Sequence, residues 1–154
     1  MSAQVIDLNS LPEDAKVSND QKIEEDWAEY AFKFAETFEM LLKSIKTKQG
    51  LKQFKFTPQD DLIYTGFRKS FPNLSVQPLD VKTMKDKAHQ LQWYQLLEAY
   101  KTVVTDYNHG SIVRVNSMQN LGPENGIIVP RIQFYMIELA RCREGCNDQF
   151  VGVE

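Results

Sequence analysis

Cysteine and histidine are scarce in this sequence, with two of each among 154 residues. Two cysteines do not make a disulfide framework, and a chain of this length can bury a core without covalent or metal staples. Cys142 and Cys146 lie four positions apart and, with His89 and His109, could supply four tetrahedral zinc ligands. The histidine spacing matches no zinc motif, and Gly145 is expected to end the helix between the cysteines. We therefore predict unpaired thiols and no metal site.

Long apolar runs and an excess of basic residues are also missing. No run of about 18 apolar residues is present, so we expect no membrane-spanning helix. Residues 1–11 contain Asp7 and no apolar segment, so we expect no signal peptide. The net charge of −3 and the pI near 5.5 argue against direct nucleic-acid binding. No glycine-rich phosphate-binding motif is present, and we expect a cytoplasmic protein without a cofactor.

Length and composition are those of one ordinary globular domain. Hydrophobic residues make up 42% of the chain and charged residues 25%. Residues 1–17 mix serine, proline and acidic residues with isolated aliphatic side chains, a pattern typical of disordered segments. We predict a flexible acidic tail over residues 1–17 and a single globular domain over residues 18–150.

Helical periodicity predicts about four helices in this domain. Residues 18–20 can each cap the first helix. The second is expected to begin after residues 57–58 and to stop before Pro72, and the third to span roughly residues 81–105. The first helix has a core stripe at helical spacing, made of Trp27, Ala31, Phe34, Phe38, Leu41 and Ile45.

The C-terminal third of the chain predicts a hairpin followed by the fourth helix. Residues 111–115 and 127–129 have strand patterns on either side of a loop rich in Asn and Gly, and could pair as a hairpin. Pro130 suits the first helical position, and Gly145 a helix end. The predicted fold is α+β and mostly helical, with a small two- or three-stranded antiparallel sheet.

The fourth helix is apolar over most of its circumference and carries one charged stripe. At about 100° per residue, the stripe consists of Arg131, Phe134, Glu138 and Arg141. It is either a solvated face, where a Glu138–Arg141 pair contributes about 0.3–0.5 kcal/mol, or a partner-docking surface, because Arg and aromatic residues are enriched at binding hot spots. A third interpretation is structural, with Arg114 and Arg131 clamping the hairpin and the helix to Asp106 or Glu138 in a buried network.

No arrangement of catalytic residues stands out. Asp106, His109 and Ser111 are close in sequence, but the strand–turn–helix context of a nucleophile elbow is missing around Ser111. Asp60 and Asp61 point about 100° apart on a helix and suit its positive N-terminal end better than joint acid–base work. We therefore predict no catalytic residues and a binding protein rather than an enzyme.

Three stretches resemble one known family. They are residues 60–71 (DDLIYTGFRKSF), 106–114 (DYNHGSIVR) and 130–147 (PRIQFYMIELARCREGCN). The second is similar to the pattern Asp-aromatic-Asn-x-Gly-Thr-Leu-Leu-Arg, and the third to Pro-Arg-x-Gln-Phe followed by Glu, Ala-Arg and Gly-x-Asn. On these motifs the chain resembles the polysaccharide biosynthesis domain-containing protein family, small cytosolic eukaryotic proteins, over roughly residues 27–147.

This resemblance implies an ATP-independent chaperone that acts during translation at the ribosome. It would bind nascent translation elongation factor 1-alpha at the GTP-binding domain and assist its folding. The expected partner-binding residues are Asn108, His109, Arg114, Arg131, Phe134, Glu138 and Arg141. Two alternatives stay open, namely a glycan-related or methyl-transferring enzyme, as the family name suggests, and a general protein-interaction adaptor.

Overall fold

The computed structural model describes the backbone of residues 13–150 and the side chains of residues 28–150. It confirms a mostly helical α+β fold with a two-stranded antiparallel sheet. The elements are α1 (Glu13–Lys43), α2 (Lys48–Lys52), α3 (Asp60–Ser70), α4 (Val81–Lys85), α5 (Lys87–Glu98), β1 (Gly110–Val113), β2 (Ile127–Pro130), α6 (Arg131–Arg143) and a 3₁₀ turn (Asp148–Phe150).

Helix α1 begins earlier than the sequence predicts. Its first residue is Glu13, whereas the predicted caps were residues 18–20. Residues 13–17 are therefore helical, and the division into a tail over residues 1–17 and a globular domain over residues 18–150 stays a prediction. Residues 1–12 lie outside the described part of the chain, so the flexibility of the tail stays a prediction.

The start of α3 is fixed by a buried carboxylate. Asp60 accepts hydrogen bonds from the backbone N–H groups of Phe56 and Thr57, each at 2.8 Å. Thr57 also accepts a hydrogen bond from the Gln59 N–H through its hydroxyl oxygen, at 3.0 Å. Asp60 is therefore tied to the preceding loop, while Asp61 is exposed and pairs with Arg143 at 2.7 Å, so the two carboxylates have different partners.

The helix predicted over residues 81–105 is divided into α4 and α5. Asp80 caps α4, but the chain takes an extended conformation at Asp86, with φ −69° and ψ 131°. The Asp86 carboxylate then accepts a hydrogen bond from the Ala88 N–H and caps α5. Helix α5 ends at Glu98, and turns occupy most of the remaining predicted span.

The predicted hairpin is confirmed. Strands β1 and β2 pair antiparallel with the register Gly110↔Pro130, Ser111↔Val129, Ile112↔Ile128 and Val113↔Ile127. Pro130 ends β2 and is the N-terminal cap of α6, with φ −61° and ψ 149°. The strand therefore runs directly into the helix, as the extended bias before a proline favours.

Helix α6 lies at the centre of the core. Phe134 packs edge-to-face against Phe34 and Phe38 of α1, with ring centroids 5.4 and 5.1 Å apart. Tyr135 packs against Phe56 at 6.1 Å. Each such aromatic pair adds about 0.5–1.5 kcal/mol beyond burial.

The predicted core stripe of α1 is confirmed only in part. Ala31 and Phe38 are buried, and Phe34 and Ile45 are partly buried. Leu41 is 51% exposed, so its assignment to the core was wrong. The side chain of Trp27 lies outside the described side chains. Among the residues that the structure describes, no helix is both long and apolar enough to cross a membrane.

Candidate partner-binding site

The charged stripe predicted on the last helix is not on the protein surface. All residues of α6 from Arg131 to Cys142 are buried. Glu138 and Arg141 have no exposed surface, and Phe134 is 1% exposed. The interpretation as a solvated face was therefore wrong. The stripe is buried because every charge on it meets an opposite charge or a polar backbone atom from a neighbouring segment.

Glu138 is the centre of this network. Its carboxylate accepts a hydrogen bond from Arg141 Nη1 at 2.9 Å and lies 3.4 Å from Arg114 Nη2. Asn147 donates a further hydrogen bond to it from Nδ2 at 3.2 Å. Burial alone would raise the pKa of Glu138, but Arg141, Arg114 and Asn147 outweigh that effect and lower the pKa below its ordinary value. Glu138 is therefore ionised inside the fold.

Arg141 holds together segments that are distant in sequence. Its Nε donates to the carbonyl oxygen of Val76 at 2.7 Å, and its Nη2 donates to those of Arg114 and Val115. The segment before α4 and the end of the hairpin are thereby fixed to α6. We expect a planar guanidinium with five donors to satisfy this set where a lysine could not.

Arg114 completes the network from the hairpin side. Its Nη1 donates to the Ser117 carbonyl at 2.9 Å, and its Nη2 donates to Asn147 Oδ1 at 3.2 Å. The guanidinium also lies 5.0 Å from the centre of the Phe150 ring. The structural interpretation of Arg114 is therefore the one that its contacts support.

Arg131 forms a second cluster, close to the turn before β1. Its Nη1 pairs with Asp106 at 2.7 Å, and its Nε donates to the Ser111 hydroxyl at 2.6 Å. The guanidinium stacks on Phe34 of α1, 3.6 Å from the ring centre. Because the hydroxyl of Ser111 faces a cation and is fully buried, the described contacts give it no activating base.

Of the seven residues predicted to bind a partner, only Asn108 and His109 are accessible to solvent. Asn108 is half-buried and His109 is exposed. The backbone of this turn is held by α6, since Arg131 N–H donates to the His109 carbonyl at 2.6 Å and Ile132 N–H to the Tyr107 carbonyl at 2.9 Å. The buried stripe thus positions the turn, and the turn is the exposed part of the predicted site.

The two cysteines differ in environment. Cys142 is buried, and burial raises the pKa of its thiol to about 12. Cys146 is half-buried, and burial followed by the nearby Glu144 raises its pKa as well. Both thiols are therefore protonated at neutral pH. Over the described residues no group of three or more His, Cys, Asp and Glu side chains could hold a metal ion.

Several residues of the buried network were not predicted. Asn147 lies nine positions after Glu138, and Ser117 is joined to Gln77 through a 2.7 Å hydrogen bond across 40 positions. The sequence did indicate that a buried network exists. A helix that is apolar around most of its circumference is buried, and charged residues on it need buried partners. The identity of those partners depends on the tertiary fold.

One open cavity lies on another side of α6. Its volume is about 430 Å³, and it is lined by Lys52, Gln53, Phe54, Lys55, Asp60, Asp61 and Arg143. The carboxylate of Asp61 pairs with Arg143 at 2.7 Å, and the Asp60 carboxylate is already bound to the backbone. Both carboxylates therefore already have partners within the fold.

Comparison with known proteins gives a consistent assignment. The PBDC1 protein family matches residues 23–152 of this chain. Human protein PBDC1 is 38% identical over 139 residues, which cover 90% of this chain and 57% of the human protein. The Saccharomyces cerevisiae PBDC1 homolog is 32% identical over 138 residues, covering 87% of this chain and 92% of the homolog.

A solved structure supports the same relationship. The solution NMR structure of a Saccharomyces cerevisiae protein is similar with a TM-score of 0.76 and 30% sequence identity, and the match covers 89% of this chain and 94% of that one. The chain spans 57% of the human PBDC1 protein and 63% of the mouse one. The family description names no enzymatic activity. From the extent of these matches, the chain belongs to the PBDC1 protein family, as the three motifs indicated.

Proposed function

We propose that this protein is an ATP-independent chaperone of nascent translation elongation factor 1-alpha. It binds the GTP-binding domain of the factor in the cytoplasm, during translation at the ribosome, and assists folding without catalysing a reaction. The proposal is supported by family membership together with the spatial convergence of the three motifs. Residues 60–71, 106–114 and 130–147 meet around α6, through the Arg68–Glu144 pair at 2.7 Å and the Arg114–Glu138 pair at 3.4 Å.

The proposed client surface is the turn before β1 together with the neighbouring face of α1. Asn108 and His109 are its polar part. Phe34 connects the two elements, because it packs on Arg131, which binds Asp106. Tyr30 lies one helical turn before Phe34 and is 61% exposed. Tyrosine is one of the residue types enriched at binding hot spots.

The exposed apolar side chains of α1 suit an unfinished client. Met40 is 69% exposed and Leu41 is 51% exposed, in addition to Tyr30. A nascent domain still exposes apolar segments that the finished domain buries. Preference for the unfinished state therefore allows release without ATP, and each tenfold preference needs only about 1.4 kcal/mol of differential binding.

The proposal is tested by capture from a translating lysate. The tagged protein is compared with the variant that carries both Tyr30→Ser and His109→Ala, and the amount of newly synthesised elongation factor 1-alpha that each retains is measured. We expect this double variant to capture at least about tenfold less factor, because the loss of hot-spot residues weakens binding by this amount or more. Leu91→Ser is the matched control, since Leu91 is 65% exposed on α5 and lies outside the proposed surface.

Two results would contradict the proposal. Equal capture of newly made and mature factor would mean that no folding intermediate is preferred. Stoichiometric capture of another protein in place of the factor would favour the adaptor interpretation. Circular dichroism of each variant excludes unfolding as the cause of a loss.

A further inference from the structure

A basic surface interrupts an otherwise acidic protein. Residues 43–59 contain five lysines and no acidic residue, in a chain whose net charge is −3. Subtracting those five positive charges from the net charge leaves −8 for the rest of the chain. Such local asymmetry points to a charged partner, because the overall charge gives no reason for it.

Four of these lysines make up what we call the lysine surface, and all four are exposed: Lys46, Lys48, Lys52 and Lys55. Within the part of the chain that the structure describes, none of them lies within 4.0 Å of a carboxylate oxygen, unlike Lys43, which pairs with Glu39 at 3.7 Å. The lysine surface is therefore a set of cations that the described fold does not use.

The backbone under the lysine surface is anchored. Leu51 of α2 is fully buried, and Thr47 caps α2 by accepting the Gly50 N–H at 2.9 Å. Phe54 packs against the α1 residue Phe38, with ring centroids 5.9 Å apart. The lysines are thus carried on a fixed scaffold, which lowers the entropy cost of binding compared with a mobile loop.

The lysine surface borders the 430 Å³ cavity described above. Lys52 and Lys55 line it together with the ring of Phe54 and with Arg143. The Nη2 of Arg143 is already paired with Asp61 at 2.7 Å. The cavity therefore offers two lysines without an ion-pair partner among the described residues and one aromatic side chain.

From this combination we infer that the lysine surface and the adjoining cavity bind an acidic peptide segment that carries an apolar side chain. A partner carboxylate pairs with Lys52 and Lys55, while the apolar side chain contacts Phe54. A peptide is favoured over nucleic acid because the chain outside residues 43–59 has a net charge of −8. That charge repels a long phosphate backbone, whereas a short peptide places its charges beside the lysine surface.

The inference is tested with a fluorescein-labelled peptide of alternating Glu and Asp with one central Phe. Fluorescence anisotropy should report binding that weakens at least about tenfold between about 0.05 and 0.3 M NaCl, because exposed charges are screened. Lys52→Glu combined with Lys55→Glu should weaken binding at least about tenfold, since it reverses two contacting charges. The variant Lys52→Arg with Lys55→Arg should bind like the parent.

The control variant carries the same change of charge elsewhere. Lys85→Glu combined with Lys87→Glu alters two exposed lysines at the α4–α5 junction, which do not line the cavity. Binding by the control should stay within about threefold of the parent, since only long-range steering changes. Equal weakening by both double variants would overturn the inference, because the peptide would then respond to net charge alone.

Two further measurements distinguish the peptide from two competing occupants of the site. If a single-stranded RNA of the same charge binds more tightly than the peptide, the site is a nucleic-acid site and the inference is wrong. If the protein alone self-associates at low salt in sedimentation, and Lys52→Glu with Lys55→Glu abolishes this, the occupant is a second copy. Neither outcome depends on elongation factor 1-alpha, so this test is independent of the proposed function.

Discussion

The α6 network and the lysine surface contain similar side chains in opposite environments. In α6, Arg141 and Glu138 are fully buried and bind each other at 2.9 Å. On the lysine surface, Lys52 and Lys55 are exposed and have no ion-pair partner among the described residues. The comparison teaches that charge indicates a binding surface only where the fold leaves it unsatisfied. In α6 the charges are satisfied within the fold, and on the lysine surface they are available to a partner.

Removing the central charge of the network should have the largest effect. Glu138→Gln keeps the shape of the side chain but leaves Arg114 and Arg141 buried without a counter-charge. We expect the free energy of unfolding to fall by about 3–5 kcal/mol. Urea denaturation followed through the fluorescence of the buried Trp93 measures this change.

The control for this prediction is Glu29→Gln. Glu29 pairs with Lys33 at 3.1 Å, but both side chains are at least 65% exposed. The expected loss is below about 0.5 kcal/mol. Similar losses in the two variants would mean that burial does not separate the two classes of charge.

Acid should weaken the protein through the same buried carboxylate. The pKa of Glu138 is lower in the fold than its ordinary value of 4.5, because its arginine partners outweigh burial. A lowered native pKa means that the unfolded chain binds more protons as the pH falls. The free energy of unfolding should therefore be constant above about pH 5 and decrease below it, by up to about 1.4 kcal/mol per pH unit for this group.

Urea denaturation at a series of pH values measures this slope. Glu144, whose pKa burial would raise but hydrogen bonds from Arg68 and Tyr64 lower, contributes in the same direction. Glu144→Gln should therefore reduce the slope. A slope that does not change in Glu144→Gln would show that Arg68 gives no net stabilisation of the charged form.

Weakening the cluster around Arg131 should have an intermediate effect on the free energy of unfolding. Asp106→Asn removes the charge that pairs with Arg131, and Asp106 is 30% exposed. We expect a loss of about 1–2 kcal/mol, less than for the fully buried network. Thermal unfolding measures it, and Asp61→Asn is a matched control, since Asp61 pairs with Arg143 at the same 2.7 Å but is 93% exposed.

The smallest effect is expected on the lysine surface. Lys52→Gln and Lys55→Gln remove exposed charges that make no ion pair with a described residue. Each variant should unfold within about 0.5 kcal/mol of the parent. A loss above about 1 kcal/mol would mean that these lysines stabilise the fold, and it would remove the contrast between the two regions.

The parts of the fold that were predicted correctly depend on local signals. The turn before Gly110, the alternating strand pattern and Pro130 are all short-range features, and together they gave the hairpin and the start of α6. The break at Asp86 was missed because neither Gly nor Pro marks it. An aspartate that caps the next helix is compatible with a continuous helix until its backbone conformation is known.

The candidate site was predicted less well, because its decisive contacts are long-range. A helical wheel places Glu138 and Arg141 on one face but does not say what covers that face. The covering atoms come from Arg114, 24 positions before Glu138, and from Val76, 65 positions before Arg141. The exposed turn at Asn108 and His109 was identified, but its neighbours on α1 were not.

The position of α6 near the C-terminal end of the described chain has a consequence for biosynthesis. The ribosome makes Arg114 and the carbonyl of Val76 well before Glu138, Arg141 and Asn147. Until those last residues leave the exit tunnel, Arg114 has no carboxylate and Phe38 has no Phe134 to pack against. The protein therefore cannot complete the core around α6 until Glu138, Arg141 and Asn147 have been synthesised and have left the ribosome.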